Sequence, residues 1–105
     1  MIRMITHIVL HFAVPGVLAR RFYRKNWKQQ WGVMVSTMIV DLDHLLANPV
    51  YDPNRCSIGF HPFHSHVAIV LYVLITLIPK SRVLGIGILI HIGLDFLDCV
   101  WMKFL

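Results

Sequence analysis

The sequence predicts an all-α fold, an up-down bundle of four transmembrane helices in one integral-membrane domain. Two observations support this prediction. Of the 105 residues, 57% are hydrophobic and only 14% are charged, whereas soluble domains have about 25% charged residues. The hydrophobic residues form four runs, at about residues 4–22, 31–47, 63–78 and 83–102. Each run approaches the ~17–25 residues that a helix needs to cross a bilayer. The mean hydropathy of +0.67 argues against a soluble helical bundle.

The four runs differ in detail. The first contains Pro15, where a kink can form. It also follows Arg3, as in a signal peptide, but no small-residue cleavage site follows it, so we expect a retained helix. The second and third runs are at the short end, which indicates a thin local membrane or polar ends that reach the interface. The fourth contains Gly85, Gly87 and Gly93, which allow helices to approach closely and offer a surface for a homodimer.

The basic residues predict the orientation of the bundle. Those in the two short connections are Arg20, Arg21, Arg24, Lys25, Lys28, Lys80 and Arg82, against Arg3, Arg55 and Lys103 on the other side. The positive-inside rule then places the short connections in the cytoplasm and both termini on the extracytoplasmic side. We therefore expect a multi-pass protein of the inner (cell) membrane, in contact with membrane lipid. The net charge of +5 follows from this topology, so no nucleic-acid partner is expected.

Most of the ionisable groups other than Lys and Arg lie inside the hydrophobic runs. The chain has no glutamate, and four of its five acidic residues fall within predicted helices: Asp41, Asp43, Asp95 and Asp98. Of the seven histidines, His7, His11, His44, His64, His66 and His91 lie in or at the ends of the runs, and His61 lies at the start of the third. Such groups cost several kcal/mol within a membrane unless they are paired, so they are candidates for function.

Helical spacing predicts that many of these side chains converge. His7 and His11 are four residues apart, Asp41 and His44 three apart, and His61 and His64 three apart, while His91, Asp95 and Asp98 form one stripe. An antiparallel bundle brings them to similar height, in the outer half of the membrane. We predict a metal site with the ligands His7, Asp41, His44, His61, His64, His91 and Asp95, and with His11 and Asp98 as surrounding or alternative ligands. His66 lies off this face and is interpreted as a core histidine.

Imidazole and carboxylate ligands together suit a divalent cation, with zinc first and iron, manganese or nickel as alternatives. The candidate ligands outnumber the four that one tetrahedral zinc needs. One ion with a well-built surrounding shell, or two ions, would account for the surplus.

Four motifs follow one another along the chain: THIVLH, DLDHLL, HPFHS and HIGLD. In this order they resemble the small bacterial integral-membrane proteins known as membrane-bound metal-dependent hydrolases, over nearly the whole chain. The resemblance implies that the metal positions are His7, Asp41, His44, His64, His91 and Asp95, with Asp43 close by. Larger members have a His-Arg-Gly-Thr run before the His-Ser pair, where this chain has GFHPFHS.

The functional hypothesis is metal-assisted hydrolysis of a lipid or lipid-linked ester or phosphoester, with Asp43 or Asp98 as general base. The alternative is a non-catalytic metal-binding protein with a structural, sensing or transport role. Transport is disfavoured because the inner halves of the helices offer few polar side chains beyond Ser36, Thr37 and Thr76. A haem protein with two axial histidines would not need clustered aspartates. Cys56 and Cys99 are equally compatible with a disulfide and with two free thiols.

Overall fold

The computed structural model describes residues 2–46, 56, 58–59 and 61–104, without the side chains of residues 42–44. Within these residues the protein is all-α, which confirms the predicted fold class. The α-helices are α1 (Ile2–Phe22), α2 (Trp27–Ser36), α3 (His66–Leu77) and α4 (Arg82–Phe104). Short 3₁₀ segments connect or extend them, at Arg24–Asn26, Thr37–Leu46, Pro62–His64 and Pro79–Ser81.

Consecutive helices run antiparallel, and α4 packs against each of the other three. Between α1 and α4 the neighbouring pairs are Arg3–Asp98 and His11–His91. Between α4 and α3 with its preceding 3₁₀ turn they are Thr76–Gly85 and His64–His91. Between α4 and α2 with its 3₁₀ extension they are Met34–Gly87 and Asp41–His91. The bundle therefore has two unlike ends. The His/Asp end contains the start of α1, the Thr37–Leu46 segment, the start of α3 and the second half of α4. The basic end contains the end of α1, the start of α2 and the connection between α3 and α4.

The helix predicted at residues 31–47 begins four residues earlier, at Trp27. It changes from α-helical to 3₁₀ geometry halfway along its length. Its second half, Thr37–Leu46, is a 3₁₀ helix of 10 residues, although such runs seldom exceed about 3–4 residues. Thr37 and Val40 are buried here. Gly87 of α4 makes the close approach possible, because a Cβ atom at this position would lie 2.7 Å from Met34 Cα.

The helix predicted at residues 63–78 begins three residues later than expected. Ser65 is extended and caps α3, with its Oγ accepting a hydrogen bond from the Ala68 N–H at 3.2 Å. At the other end, Arg82 Nε donates to the Thr76 carbonyl at 3.1 Å, which satisfies a carbonyl in the last turn. The helix has 12 residues, which gives a length of about 18 Å.

Two segments are long and apolar enough to cross a membrane, Ile2–Phe22 and Pro79–Phe104. The prediction of four such helices is therefore confirmed for two only. The reason is local: the second apolar run is divided between α and 3₁₀ geometry, and the third loses its first residues to the Pro62–His64 turn and the Ser65 cap.

Among the described residues, buried polar side chains are as numerous as buried hydrophobic ones, unlike in a soluble domain. The buried polar side chains are His11, Thr37, His61, His64, His91 and Asp95, and the buried hydrophobic ones are Ala19, Met34, Val40, Ile88, Ile92 and Leu94. Most large hydrophobic residues are exposed, including Val67 (73%) and Leu77 (66%) on α3. Soluble monomers rarely expose apolar patches larger than a few hundred Å². The exterior is thus suited to an apolar environment.

Cys56 and Cys99 form a disulfide, with their Cα atoms 5.2 Å apart. The sequence left this pairing open. The bond connects residue 56 to α4 next to Asp98, at the His/Asp end of the bundle.

Candidate metal centre

The first group of possible ligands joins α1 to α4. His7 and His11 lie four residues apart on α1, so both project toward α4. His7 Nε2 is 3.0 Å from Asp95 Oδ1, and His11 Nε2 is 3.3 Å from the same oxygen. These three side chains converge closely enough to hold a metal ion.

The hydrogen bond made by His11 Nδ1 leaves its Nε2 available to a cation in this group. Its Nδ1 is 2.7 Å from the His7 carbonyl oxygen, and because a carbonyl only accepts, Nδ1 carries the proton. In the neutral imidazole, Nε2 then presents a lone pair. That lone pair faces a carboxylate oxygen of Asp95, and within the described residues Nε2 has no hydrogen-bond partner of acceptable geometry. A cation between the two atoms would turn their mutual repulsion into shared ligation.

The second group draws on the Thr37–Leu46 segment, the Pro62–His64 turn and α4. His64 Nε2 lies 2.8 Å from Asp95 Oδ2 and 3.4 Å from Asp41 Oδ1. His91 Nε2 lies 3.0 Å from Asp41 Oδ1 and 3.2 Å from Asp95 Oδ2. The two Nε2 atoms are themselves 3.4 Å apart.

These separations are close to the edges of a coordination polyhedron or somewhat shorter. Bonds of about 2.0–2.1 Å from zinc to nitrogen or oxygen give tetrahedral ligand–ligand distances of about 3.3–3.4 Å. Five of the six separations among the four ligand atoms of Asp41, His64, His91 and Asp95 are 2.8–3.4 Å. Each Nε2 can carry one proton at most, so protons alone cannot satisfy all of these contacts. The donor set therefore fits a divalent cation.

Asp95 belongs to both groups and divides its oxygens between them. Oδ1 faces the two α1 imidazoles, and Oδ2 faces His64 and His91. A carboxylate placed in this way can bridge two cations, as in two-metal sites with ions about 3.5–4 Å apart. Asp95 is almost fully buried, with 4% of its side chain exposed.

The two groups are enclosed in the bundle, but two of their side chains are partly exposed at its surface. The side chain of His64 has no exposed surface, whereas that of His7 is 27% exposed and that of Asp41 is 37% exposed. Beyond His7, Arg3 Nε pairs with Asp98 Oδ1 at 3.3 Å. This pair lies one helical turn from His7 on α1 and about one turn from Asp95 on α4.

The predicted residues are thus distributed unevenly. His7, Asp41, His64, His91 and Asp95 lie in the two groups, and so does His11, which was expected as a surrounding or alternative ligand. His61 is buried outside both groups, with its ring 5.8 Å from that of His64. Asp98 pairs with Arg3 instead. The side chains of Asp43 and His44 lie outside the described part of the chain. His66 is exposed, so its interpretation as a core histidine is wrong.

Sequence analysis missed the Arg3–Asp98 pair. The signal for it was present, because Arg3 precedes His7 by four residues and Asp98 follows Asp95 by three. Both residues therefore continue the faces that carry the ligands, and in antiparallel helices those continuations meet.

Comparison with protein families gives one match. The model of a family of unknown function, DUF6122, matches residues 1–102. The chain belongs to DUF6122. The matched range of this DUF6122 member includes every residue of the two ligand groups. No curated protein and no solved structure matches the chain.

Proposed function

We propose that this protein is a membrane-embedded metalloprotein that binds two divalent cations, zinc first, at the His/Asp end of its bundle. The observation that carries the proposal is the placement of Asp95 between two sets of imidazole nitrogens, with one carboxylate oxygen toward each. Iron, manganese and nickel accept the same donors. A bound cation would also offset the cost of burying the carboxylate in a membrane.

The exposed apolar exterior supports a membrane location. α1 and α4 have the length and hydropathy of membrane spans. α2 and its 3₁₀ extension have 10 residues each, which together reach about 35 Å at ideal rises. α3 is shorter, but all of its large hydrophobic side chains except the partly buried Ile69, Tyr72 and Ile75 are exposed. A bundle of this kind would be embedded with all four helices in contact with lipid.

The orientation follows from features at the two ends. The basic residues of both short connections favour the cytoplasmic side for the basic end. The Cys56–Cys99 disulfide lies at the opposite end, and disulfides persist in oxidising compartments outside the cytoplasm. Both features support the proposal that the metal centre lies toward the extracytoplasmic side of the cell membrane.

The proposed chemistry is hydrolysis of a lipid or lipid-linked ester or phosphoester, which is what the resemblance to membrane-bound metal-dependent hydrolases implies. When bound, a zinc ion supplies an activated water with a pKa near 7 and polarises the scissile group. The chain supplies the remaining parts. His11 is oriented by the His7 carbonyl. Arg3, one helical turn before His7 and paired with Asp98, supplies a partly exposed guanidinium that can contact an anionic group. Asp43, two residues after Asp41, is the proposed general base.

The experiment has two stages. Protein purified in mild detergent is analysed for metals and then assayed, with and without added zinc, against phosphoester and acyl-ester lipids. We expect about two equivalents of metal and metal-dependent release of product. Absence of metal from protein that remains folded would contradict the metalloprotein proposal. Two tightly bound equivalents without turnover of any lipid would contradict the hydrolase and leave the metal site.

A structural metal is the second candidate, favoured by one observation. The described residues contain few buried hydrophobic side chains, and a structural ion can provide the stability that a small core lacks. Removal of the metal by a chelator would then unfold the bundle, whereas an enzyme with a preformed site would retain its helical content and regain activity on addition of zinc.

A further inference from the structure

A second candidate binding site lies at the basic end. A groove with a volume of about 640 Å³ is lined there by Val17, Arg20, Arg21, Arg24 and Trp27. The last turns of α1, the Arg24–Asn26 turn and the first residue of α2 form its walls. Small-molecule sites have volumes of about 300–1,000 Å³, so the groove is large enough for a headgroup and the adjoining part of a lipid.

Among the described residues, no carboxylate pairs with the three arginines of the groove. Residues 1–40 contain no aspartate or glutamate, and no described carboxylate pairs with Arg20, Arg21 or Arg24. The other arginines in the described bundle are engaged, since Arg3 pairs with Asp98 and Arg82 donates to backbone carbonyls. Three guanidiniums therefore line one groove without a counter-ion from the described residues.

The C-terminus of α1 does not fully account for this cluster. Cations near a helix C-terminus gain only about 0.3–1 kcal/mol from the helix dipole, and the benefit is confined to the last turn. Arg24 lies beyond that helix, in the following 3₁₀ turn. An external anion that accepts hydrogen bonds from several guanidiniums would offset their mutual repulsion.

The apolar part of the groove indicates what kind of anion fits. The Arg20 guanidinium lies over the Trp27 ring, with its Cζ atom 5.6 Å from the ring centroid. Trp27 and Val17 provide apolar surface beside the charges. Tryptophan and arginine together are typical of the level where lipid headgroups meet the hydrocarbon. A ligand with an anionic head and an apolar body would satisfy both parts.

We propose that this groove binds the phosphate group of an anionic lipid from the membrane leaflet at the basic end. Guanidiniums bind phosphate through paired, parallel hydrogen bonds, and basic pockets between helices on the cytoplasmic side bind phosphate-bearing lipid headgroups. The site is separate from the metal centre, because Arg20 follows His11 by nine positions on α1, a distance of about 14 Å along the helix. The inference rests on the proposed membrane location but not on metal binding or hydrolysis.

The test measures lipid binding by native mass spectrometry of the detergent-purified full chain titrated with phosphatidylglycerol or phosphatidylcholine. We expect phosphatidylglycerol to bind with about tenfold higher affinity. The double variant Arg20→Gln/Arg24→Gln should lose this preference. The control Lys25→Gln/Lys80→Gln removes the same charge at the same end but does not line the groove, and should retain it. Equal binding of the two lipids to the native protein, or equal losses in both double variants, would overturn the proposal.

Two further measurements identify the ligand and guard against misfolding. Inorganic phosphate is added at the ionic strength of a chloride control. Retention of phosphatidylglycerol supports a lipid site, whereas displacement by phosphate but not chloride would overturn the lipid assignment in favour of free phosphate. The variant Arg20→Lys/Arg24→Lys keeps the charge but loses the paired hydrogen bonds, so intermediate affinity is expected. Affinity equal to that of the native protein would contradict recognition by guanidiniums.

Discussion

The two ends of the bundle differ in how far their ionisable side chains are buried and in whether those side chains have partners within the protein. At the His/Asp end, the side chains of the two ligand groups are buried or partly buried and contact one another, with Asp95 shared between the groups. At the basic end, the arginines of the groove are exposed and have no described carboxylate partner. Buried charge is tolerated only when opposite charges or a cation compensate for lost hydration. Exposed charge needs no internal partner and remains available to headgroups.

One helix carries both arrangements. The first half of α1 projects His7 and His11 toward α4, and its last turn carries Arg20 and Arg21. The difference therefore lies in what faces the helix. Asp95 of α4 faces the first half, whereas no acidic residue occurs in the α2 segment that packs beside the second.

The largest effect is expected from Asp95→Asn. The substitution keeps the shape of the side chain but removes the charge that both groups share and replaces one of the two ligand oxygens with an NH2 group, so we expect metal content to fall at least about tenfold. Elemental analysis of detergent-purified protein measures this. The matched control is Asp98→Asn, which lies on the same helix but pairs with Arg3, and it should retain its metal. Equal metal in the two variants would refute the bridging role of Asp95.

Single-histidine variants separate the two groups. His11→Ala removes a ligand of the first group only, and His64→Ala removes a ligand of the second only. If two ions bind, each variant should lose about half of the metal by elemental analysis. Complete loss in both variants would show that a single ion, or two inseparable ions, occupies the centre. His66→Ala serves as the control, because His66 is exposed and outside both groups.

Reduction of the Cys56–Cys99 disulfide should affect stability through the His/Asp end alone. The bond closes a sequence separation of 43 residues, and loops of such length contribute about 2–4 kcal/mol. We expect a lower Tm in reductant and in Cys56→Ser/Cys99→Ser, measured by thermal unfolding in detergent. Alkylation of unreduced protein should label neither cysteine. Labelling of both without reductant would show that the thiols are free.

Two glycines of α4 test how closely this helix packs against α2. A Cβ atom at Gly87 would meet the Met34 backbone, whereas one at Gly93 would meet nothing within 4 Å. Gly87→Ala should therefore destabilise the bundle by about 1–3 kcal/mol. Gly93→Ala should be neutral or stabilising by up to about 1 kcal/mol, since alanine is the better helix former. Equal Tm shifts in the two variants would contradict the close packing of α4 against α2.

The smallest effect on metal content is expected from substitutions at the basic end. Arg20→Gln/Arg24→Gln removes two charges far from the ligand groups, so metal content should equal that of the native protein within error. Elemental analysis of the protein used for the lipid titration provides the measurement. Loss of metal in this variant would show that the two ends are coupled.

Much of this architecture could be predicted from sequence. Hydrophobic runs identify the four helices, spacings of three and four residues place His7 beside His11 and His91 beside Asp95, and the basic residues distinguish the two ends. These are local properties, fixed by 3.6 residues per turn and by the solvation of charge. The start of α3 was predicted wrongly because a proline and a serine cap interrupt an apolar run, and capping outweighs hydropathy at a helix end.

Only the tertiary structure decided which ligands meet. The sequence did not show that Asp95 serves two groups, that His11 enters one of them while His61 stays outside both, or that Asp98 turns to Arg3. It also left the disulfide open. The physical reason is that spacing fixes a side chain's direction on its own helix, whereas contacts across helices depend on their separation and rotation. Packing sets the separation and rotation of the helices, for example where Gly87 leaves room for the Met34 backbone.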